Sequence, residues 1–199
     1  MANVDRPNGF RPVGTLSGSP WQGSVRLCSA DADLFRGDIV TLGATGAVVG
    51  ATGGGYMDAD RATSTTATIA LGVVVGWSPD PNNLAALYYD ASSQGANGGV
   101  YVCTAPDVIL EAQGDGDGTV AVVADIGENF DLVLGAGSTT TGVSNMEVDS
   151  SSGVTTADTP LKLIGFVDAP DNEVGVANQK MLVTLNMHVF GTGVGNVGV

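Results

Sequence analysis

The sequence predicts an all-β fold, a compact barrel or sandwich with long glycine-rich loops, and two observations carry this prediction. Short apolar segments rich in Val, Ile, Leu and Tyr recur about every 10 to 15 residues, with turn residues between them. The 199 residues also include 30 glycines against 8 prolines, and no segment has the period of an amphipathic helix. A chain of this length is expected to form a single domain.

The centre of the predicted fold is residues 100–134. The three apolar segments VYVC, VIL and VAVV within it are too short for helices and rich in β-branched side chains, which predicts three buried strands. Ala105-Pro106 and the glycine-aspartate run at 114–118 separate these strands. One helical turn is expected at 124–129, before residues 131–134 return to extended structure.

An alternating pattern makes residues 65–77 the clearest strand upstream of this centre. Residues 39–42 and 47–50 predict a hairpin around the glycines between them, and residues 51–64 predict a flexible loop. Residues 84–89 fit one helical turn or a strand equally well. The apolar face of the clearest strand carries Ile69, Leu71, Val73, Val75 and Trp77.

Three further strands are predicted downstream, at 145–149, 161–167 and 180–190, with polar loops between them. His188 is the only histidine of the chain and alternates with apolar residues in the last of these strands. We therefore interpret it as structural, since no Ser or Cys motif suggests a catalytic triad.

The chain divides into three predicted segments. Residues 1–37 have little periodicity and several turn signals, which predicts an extended N-terminal arm. Residues 38–190 form the all-β body, and we expect this body to fold without the first 20 residues. Residues 191–199 are a glycine-rich tail with little to bury, which predicts flexibility unless a neighbour holds it.

Charge separates the N-terminal segment from the rest. The first 36 residues carry four arginines and three aspartates, whereas the remainder carries 3 basic and 18 acidic residues, within a total net charge of −14. The segment could dock on an acidic partner or on the body of a neighbouring copy, or its arginines could simply be solvated. Aromatic residues and arginine dominate interface hot spots. The predicted docking residues are Arg6, Phe10, Arg11, Pro12, Trp21 and Arg26.

Composition argues against several classes of function. Nucleic-acid binding needs basic residues that displace counterions, and this chain is strongly acidic. The longest apolar runs fall well short of the roughly 20 residues that span a bilayer, and no Sec-type leader is visible, so we expect a protein made in the cytoplasm that does not enter membranes. Cys28 and Cys103 form no CxxC motif and are expected to be buried free thiols, with a bridge between them as the alternative.

No pattern predicts a catalytic, cofactor or metal site. Asp115 and Asp117 lie in a run that superficially resembles a calcium loop, but the EF-hand spacing and its terminal glutamate are missing, so a turn is the better interpretation. The many carboxylates leave a glycosidase pair open, although most lie in turn sequences. Aromatic side chains at Trp21, Trp77, Tyr88, Tyr89 and Tyr101 fit a glycan platform or, more simply, a core.

Several short motifs resemble those of small structural proteins in tailed-bacteriophage heads. The resemblance begins with Ala2-Asn3-Val4 and covers most of the chain. It is carried by the motifs NGFRPV (8–13), FRGDIV (35–40), GV (72–73), PDVILEAQ (106–113), DIG (125–127), DL (131–132), VDSS (148–151) and FVDAPDN (166–172).

The resemblance implies a head decoration, or cement, protein. Such a protein is an all-β module that binds the outer surface of the major capsid protein lattice and reinforces the mature head, usually as a homotrimer. No catalytic residue, metal or cofactor comes with the resemblance. The alternatives are a glycan-binding or host-attachment module, which predicts exposed Trp77, Tyr88 or Tyr101 in a groove, and a carboxylate hydrolase.

Overall fold

The computed structural model describes residues 3–43, 48–49, 54–94, 98–191 and 195–198. Its regular structure is almost entirely strand, which confirms the all-β prediction; the rest is a four-residue α-helix at Ala91–Gln94 and short 3-10 turns such as Trp21–Ser24 and Val123–Asp125. No helix in this part of the chain is long and apolar enough to cross a membrane. The strands are β1 (Arg11–Thr15), β2 (Val25–Ser29), β3 (Ile39–Leu42), β4 (Val48–Val49), β5 (Gly54–Gly55), β6 (Met57–Arg61), β7 (Ala70–Trp77), β8 (Val100–Cys103), β9 (Val108–Gln113), β10 (Asn129–Phe130), β11 (Leu132–Val133), β12 (Glu147–Val148), β13 (Leu161–Phe166) and β14 (Lys180–Leu185).

A closed barrel and an open sheet organise these strands. The barrel has the order β2-β6-β3-β7-β8, with only the β2–β6 pair parallel. The open sheet is antiparallel, in the order β1-β9-β14-β13-β10. Register shifts interrupt β1, β3, β7 and β13, and such bulges increase the twist that a small barrel needs to close.

Strand β7 is buried on both faces between two cores. Val74 and its partner Val102 belong to the core inside the barrel, whereas Val73 and its partner Cys103 belong to a larger core shared with the open sheet. The alternation of side chains along a strand produces this division. The predicted strand at 65–77 is therefore confirmed over Ala70–Trp77, with the barrel on one side and the sheet on the other.

Three local predictions are wrong. Residues 57–61 form β6 rather than a loop, and β3 pairs with β6 and β7 rather than in a hairpin with residues 47–50; residues 44–47 and 50–53 lie outside the described part of the chain. The predicted strand at 120–123 is irregular and leads into a 3-10 turn, with Val123 64 % exposed.

The N-terminal segment belongs to the folded body rather than to an extended arm. Strand β1 is an edge of the open sheet and β2 is a strand of the barrel. Phe10 is 1 % exposed in the shared core. The pairing of β1 with β9 explains this placement, because it satisfies backbone groups that an isolated arm would leave to water. Deleting the first 20 residues would remove β1 and Phe10, so the expectation that the body folds without them is corrected.

The C-terminal residues 195–198 are held by hydrogen bonds. The Asn129 side chain donates to the Asn196 carbonyl at 2.7 Å, Lys162 Nζ donates to the Val197 carbonyl at 3.0 Å, and the Gly198 N–H donates to Thr155 at 2.9 Å. These residues bury little, as predicted, since Val197 is 68 % exposed, but the hydrogen bonds hold residues 195–198 against the body; residues 192–194 and 199 are outside the described chain.

Candidate binding groove

A groove of about 570 Å³ lies where the N-terminal segment meets the barrel and one end of the open sheet. This volume is within the range of ligand-binding clefts in proteins. Its walls come from residues that precede β1 and β3, from β7, and from the paired ends of β9 and β14.

Two glycines fix the contact between the N-terminal wall and the wall before β3. Gly9 has φ +64 and Gly37 has φ +94, both in the left-handed region that favours glycine. A Cβ atom added at Gly9 would lie 2.7 Å from the Gly37 carbonyl oxygen and 2.6 Å from Ser144 Cβ. The Phe10 N–H donates to the Gly37 carbonyl at 2.9 Å, so the two walls meet through their backbones.

Asp38 stabilises the segment that precedes β3 through hydrogen bonds and an ion pair in the interior of the protein. This fully buried carboxylate accepts hydrogen bonds from the Phe35 N–H at 2.9 Å and from the Ser144 hydroxyl at 2.6 Å, and it forms an ion pair with Arg61 at 3.3 Å. The backbone of Arg36 is fixed next to it, since its N–H donates to the Gly142 carbonyl at 3.1 Å. The guanidinium of Arg36 therefore projects from an ordered backbone.

The opposite end of the groove is built by β9 and β14. Gln113 lies beside Lys180 in the register of these strands, and its Oε1 accepts a hydrogen bond from the Arg6 N–H at 3.1 Å. Arg11 lies opposite Glu111 across the β1–β9 pair and contacts it at 2.7 Å. Cross-strand pairing thus brings residues about 70 to 100 positions apart into one wall.

Four of the seven basic residues of the chain line this groove: Arg6, Arg11, Arg36 and Lys180. Arg11 is paired with Glu111, and Lys180 is paired with Asp171 at 2.6 Å. The hydrogen bond from Lys180 and then its charge lower the pKa of Asp171. The side chains of Arg6 and Arg36 are exposed and have no hydrogen-bond or ion-pair partner among the described residues.

The groove also has an apolar surface. Trp21 is half-buried and packs on the shared core, and Val74 and Val75 of β7 line the barrel side. Phe10 supports the groove from the core, and its burial means that this side chain is not presented to a partner.

Five of the six predicted docking residues line this groove: Arg6, Phe10, Arg11, Pro12 and Trp21. Arg26 lies elsewhere, exposed on barrel strand β2, where its Nη1 donates to the carbonyls of Gly23 and Val25 at 3.3 Å. Sequence reasoning missed Arg36, although it belongs to the N-terminal cluster of arginines, and Lys180, whose position in the groove depends on long-range strand pairing.

Comparisons with protein-family models, with curated proteins and with solved structures find no match to this chain. The groove must therefore be interpreted from its own chemistry.

A cluster of carboxylates lies near Gln113 and consists of Glu147, Asp5, Asp115 and Asp117. Burial, and then the charges of Asp5, Asp115 and Asp117, raise the pKa of Glu147 from 4.5 to about 7. Its Oε1 atom is buried without a hydrogen-bond partner in the described structure. Gln113 Nε2 donates to Asp5 Oδ1 at 3.4 Å, so this carboxylate cluster adjoins the groove.

Residues 116–119 form a bend at the predicted turn, and Asp115, which precedes it, is anchored to Ser150. The Asp115 Oδ1 accepts hydrogen bonds from the Ser150 N–H at 2.9 Å and from the Ser150 hydroxyl at 2.7 Å. Among the described residues, no group of three or more His, Cys, Asp and Glu side chains is placed to share a metal ion.

The two thiols and the single imidazole of the chain are buried. Cys28 and Cys103 are free, as predicted, and burial, followed by the charge of Asp58, raises the pKa of Cys28 to about 11. His188 is 2 % exposed, burial lowers its pKa, and its Nδ1 accepts a hydrogen bond from the Phe190 N–H at 3.0 Å.

The aromatic residues of the glycan hypothesis are dispersed. Trp77 is half-buried against the barrel core, and Tyr88 stacks on Phe35 with ring centroids 5.0 Å apart. Tyr101 is 38 % exposed on β8. None of the three lines the groove described above.

Proposed function

We propose that this chain is a structural protein of a bacteriophage head, which binds the outer surface of the capsid lattice and stabilises it. The observation that supports this function is the concentration of four of seven basic residues in one groove of a protein with net charge −14. A groove of this kind suits a localised protein contact, because complementary charge directs association and fixes its register.

The physical basis of such a function is mass action. A protein that binds only the assembled lattice adds its binding free energy to the stability of that lattice. Repetition over a shell multiplies weak individual contacts through avidity, especially if the protein forms the proposed homotrimer. The acidic surface outside the groove would limit unspecific adhesion of the virion.

Co-sedimentation with capsid shells that lack this protein tests the proposal. We expect the purified protein to pellet with shells and to remain in the supernatant without them, and we expect light scattering to give three times the 19.9 kDa chain mass. A protein that stays in the supernatant at all shell concentrations would overturn the cement function. Point substitutions in the groove are preferable to truncation, because β1 is part of the fold.

A further inference from the structure

Arg6 and Arg36 are the basic residues of the groove that indicate what it binds, because their charges are not paired within the described structure. Their backbones are hydrogen-bonded to Gln113 and Gly142, yet their guanidinium groups have no partner within the described structure. A guanidinium presents five donors in a planar fork that matches a carboxylate. The groove therefore presents two guanidinium groups, each on a hydrogen-bonded backbone, to the anionic side chains of a partner.

The groove is too apolar for a site that binds charge alone. Trp21 is half-buried at its surface, and Pro12 and Val75 add aliphatic surface. A partner that fills it must therefore bring apolar surface together with its negative charge.

Polypeptide fits these requirements better than nucleic acid. A phosphate backbone carries a charge at every nucleotide, so its repulsion by a protein with net charge −14 accumulates along the strand, whereas a polypeptide can place a few carboxylates on the arginines and an apolar side chain beside them. A second copy of this chain is also a poorer occupant. Its body carries the same net negative charge, and many of its carboxylates are engaged in their own turns, as in the hydrogen bonds that Asp90 accepts from Ser92 and Asp149 from Ser151.

We propose that the groove binds an acidic segment of a different protein, with carboxylates on Arg6 and Arg36 and an apolar side chain against Trp21. The inference rests on the proposed function, since it states which part of a coat protein the groove would take: an exposed segment in which acidic residues flank an apolar one. Charge-assisted hydrogen bonds to arginine give the contact its strength, and the apolar residue gives it position.

Binding of a model peptide tests the inference. The probe is fluorescein-labelled Gly-Asp-Glu-Leu-Asp-Glu-Gly, and its anisotropy is titrated with the full-length protein. Control probes replace the acidic residues by Asn and Gln, or the leucine by glycine. We expect both control peptides to bind more weakly, and we expect the double variant R6Q/R36Q to lose about tenfold in affinity for the acidic peptide.

R26Q is the matched control variant, because Arg26 is an exposed arginine outside the groove and its substitution changes net charge in the same direction. It should bind within about twofold of the unchanged protein. Equal losses in R26Q and R6Q/R36Q, tighter binding of labelled oligo-dT than of the acidic peptide, or groove-dependent self-association in light scattering would each overturn the inference. Circular dichroism checks that both variants are folded.

Co-sedimentation separates this inference from the proposed function. Arginine-dependent peptide binding without binding to shells would leave the inference standing and refute the capsid function. Binding to shells that R6Q/R36Q does not weaken would support the capsid function and refute the inference about the groove.

Discussion

Glu147 makes the stability of the protein depend on pH in a way that a single substitution tests. Burial raises the pKa of its carboxyl to about 7 in the folded state, whereas an unfolded chain releases that proton near the ordinary value of 4.5. Stability therefore falls as the pH rises from about 4.5 to about 7, and the loss is complete above that range. Glutamine cannot ionise, so E147Q should escape this loss.

The magnitude follows from the shift. The full difference corresponds to about 3 kcal/mol, and solvent screening of a side chain that is only partly buried reduces it to about 1 kcal/mol. For a chain of this length we expect E147Q to melt about 2–4 °C above the unchanged protein at pH 8. At pH 5 the difference should be about a quarter of that value, because most of the loss has not yet occurred.

Thermal unfolding followed by circular dichroism at pH 5, 6, 7 and 8 measures the effect. E128Q is the matched control, since it also removes one negative charge, at the residue directly before β10. If the melting temperature of E147Q differs from that of the unchanged protein by the same amount at every pH, the carboxyl does not titrate as described. An identical response in E128Q would assign the effect to net charge instead.

Three further predictions concern the walls, the thiols and the C-terminus. G9A should lower the free energy of unfolding by about 2–3 kcal/mol, because alanine is strained at the positive φ of this position and its Cβ atom would clash with Gly37 and Ser144. G18A is the control, since Gly18 has φ +76 but open space around it, and it should cost only about 1 kcal/mol. Thermal melting of the two variants measures the difference. Cys28 and Cys103 should react slowly with a disulfide reagent at pH 8 until denaturant is added, because burial raises the pKa of both thiols, and rapid reaction of the folded protein would contradict this burial. Deleting residues 192–199 should cost about 1–3 kcal/mol in chemical denaturation, because the buried Asn129 side chain and the partly exposed Lys162 each lose an acceptor, and unchanged stability would show that these hydrogen bonds contribute little.

The two-residue periodicity of apolar side chains predicted the strands in which these side chains alternate with others. It did not predict a strand whose sequence is charged and follows several glycines. β7 and β14 follow the two-residue pattern and were found. β6 has the sequence MDADR after a run of glycines, and its burial comes from closing the barrel, so the local sequence does not reveal it. Residues 120–123 show the reverse case, because an apolar run is left at the surface.

The groove could be predicted only in part, because several of its residues come together through strand pairing that the local sequence does not show. The charge imbalance of the N-terminal segment indicated a docking surface, and Arg6, Arg11 and Trp21 do line one cavity. Lys180 and Glu111 reach it through strand pairing, and no local pattern reports a register between residues so far apart. The sequence predicts an arm separate from the body because β1 contains proline and glycine, which weaken the signal of a strand.

The position of β9 has a consequence for synthesis of the protein. It lies between β1, about a hundred residues earlier in the chain, and β14, about seventy residues later. During translation the open sheet can start only when β9 has left the ribosome, and it can be completed only when β14 follows, so closure over long loops is expected to be slow. Because Arg6 rests on β9 and Lys180 belongs to β14, a nascent or truncated chain has no complete groove. Under the proposed function, the capacity to dock would thus arise only once β14 has joined the sheet, and incomplete chains would be kept out of assembly.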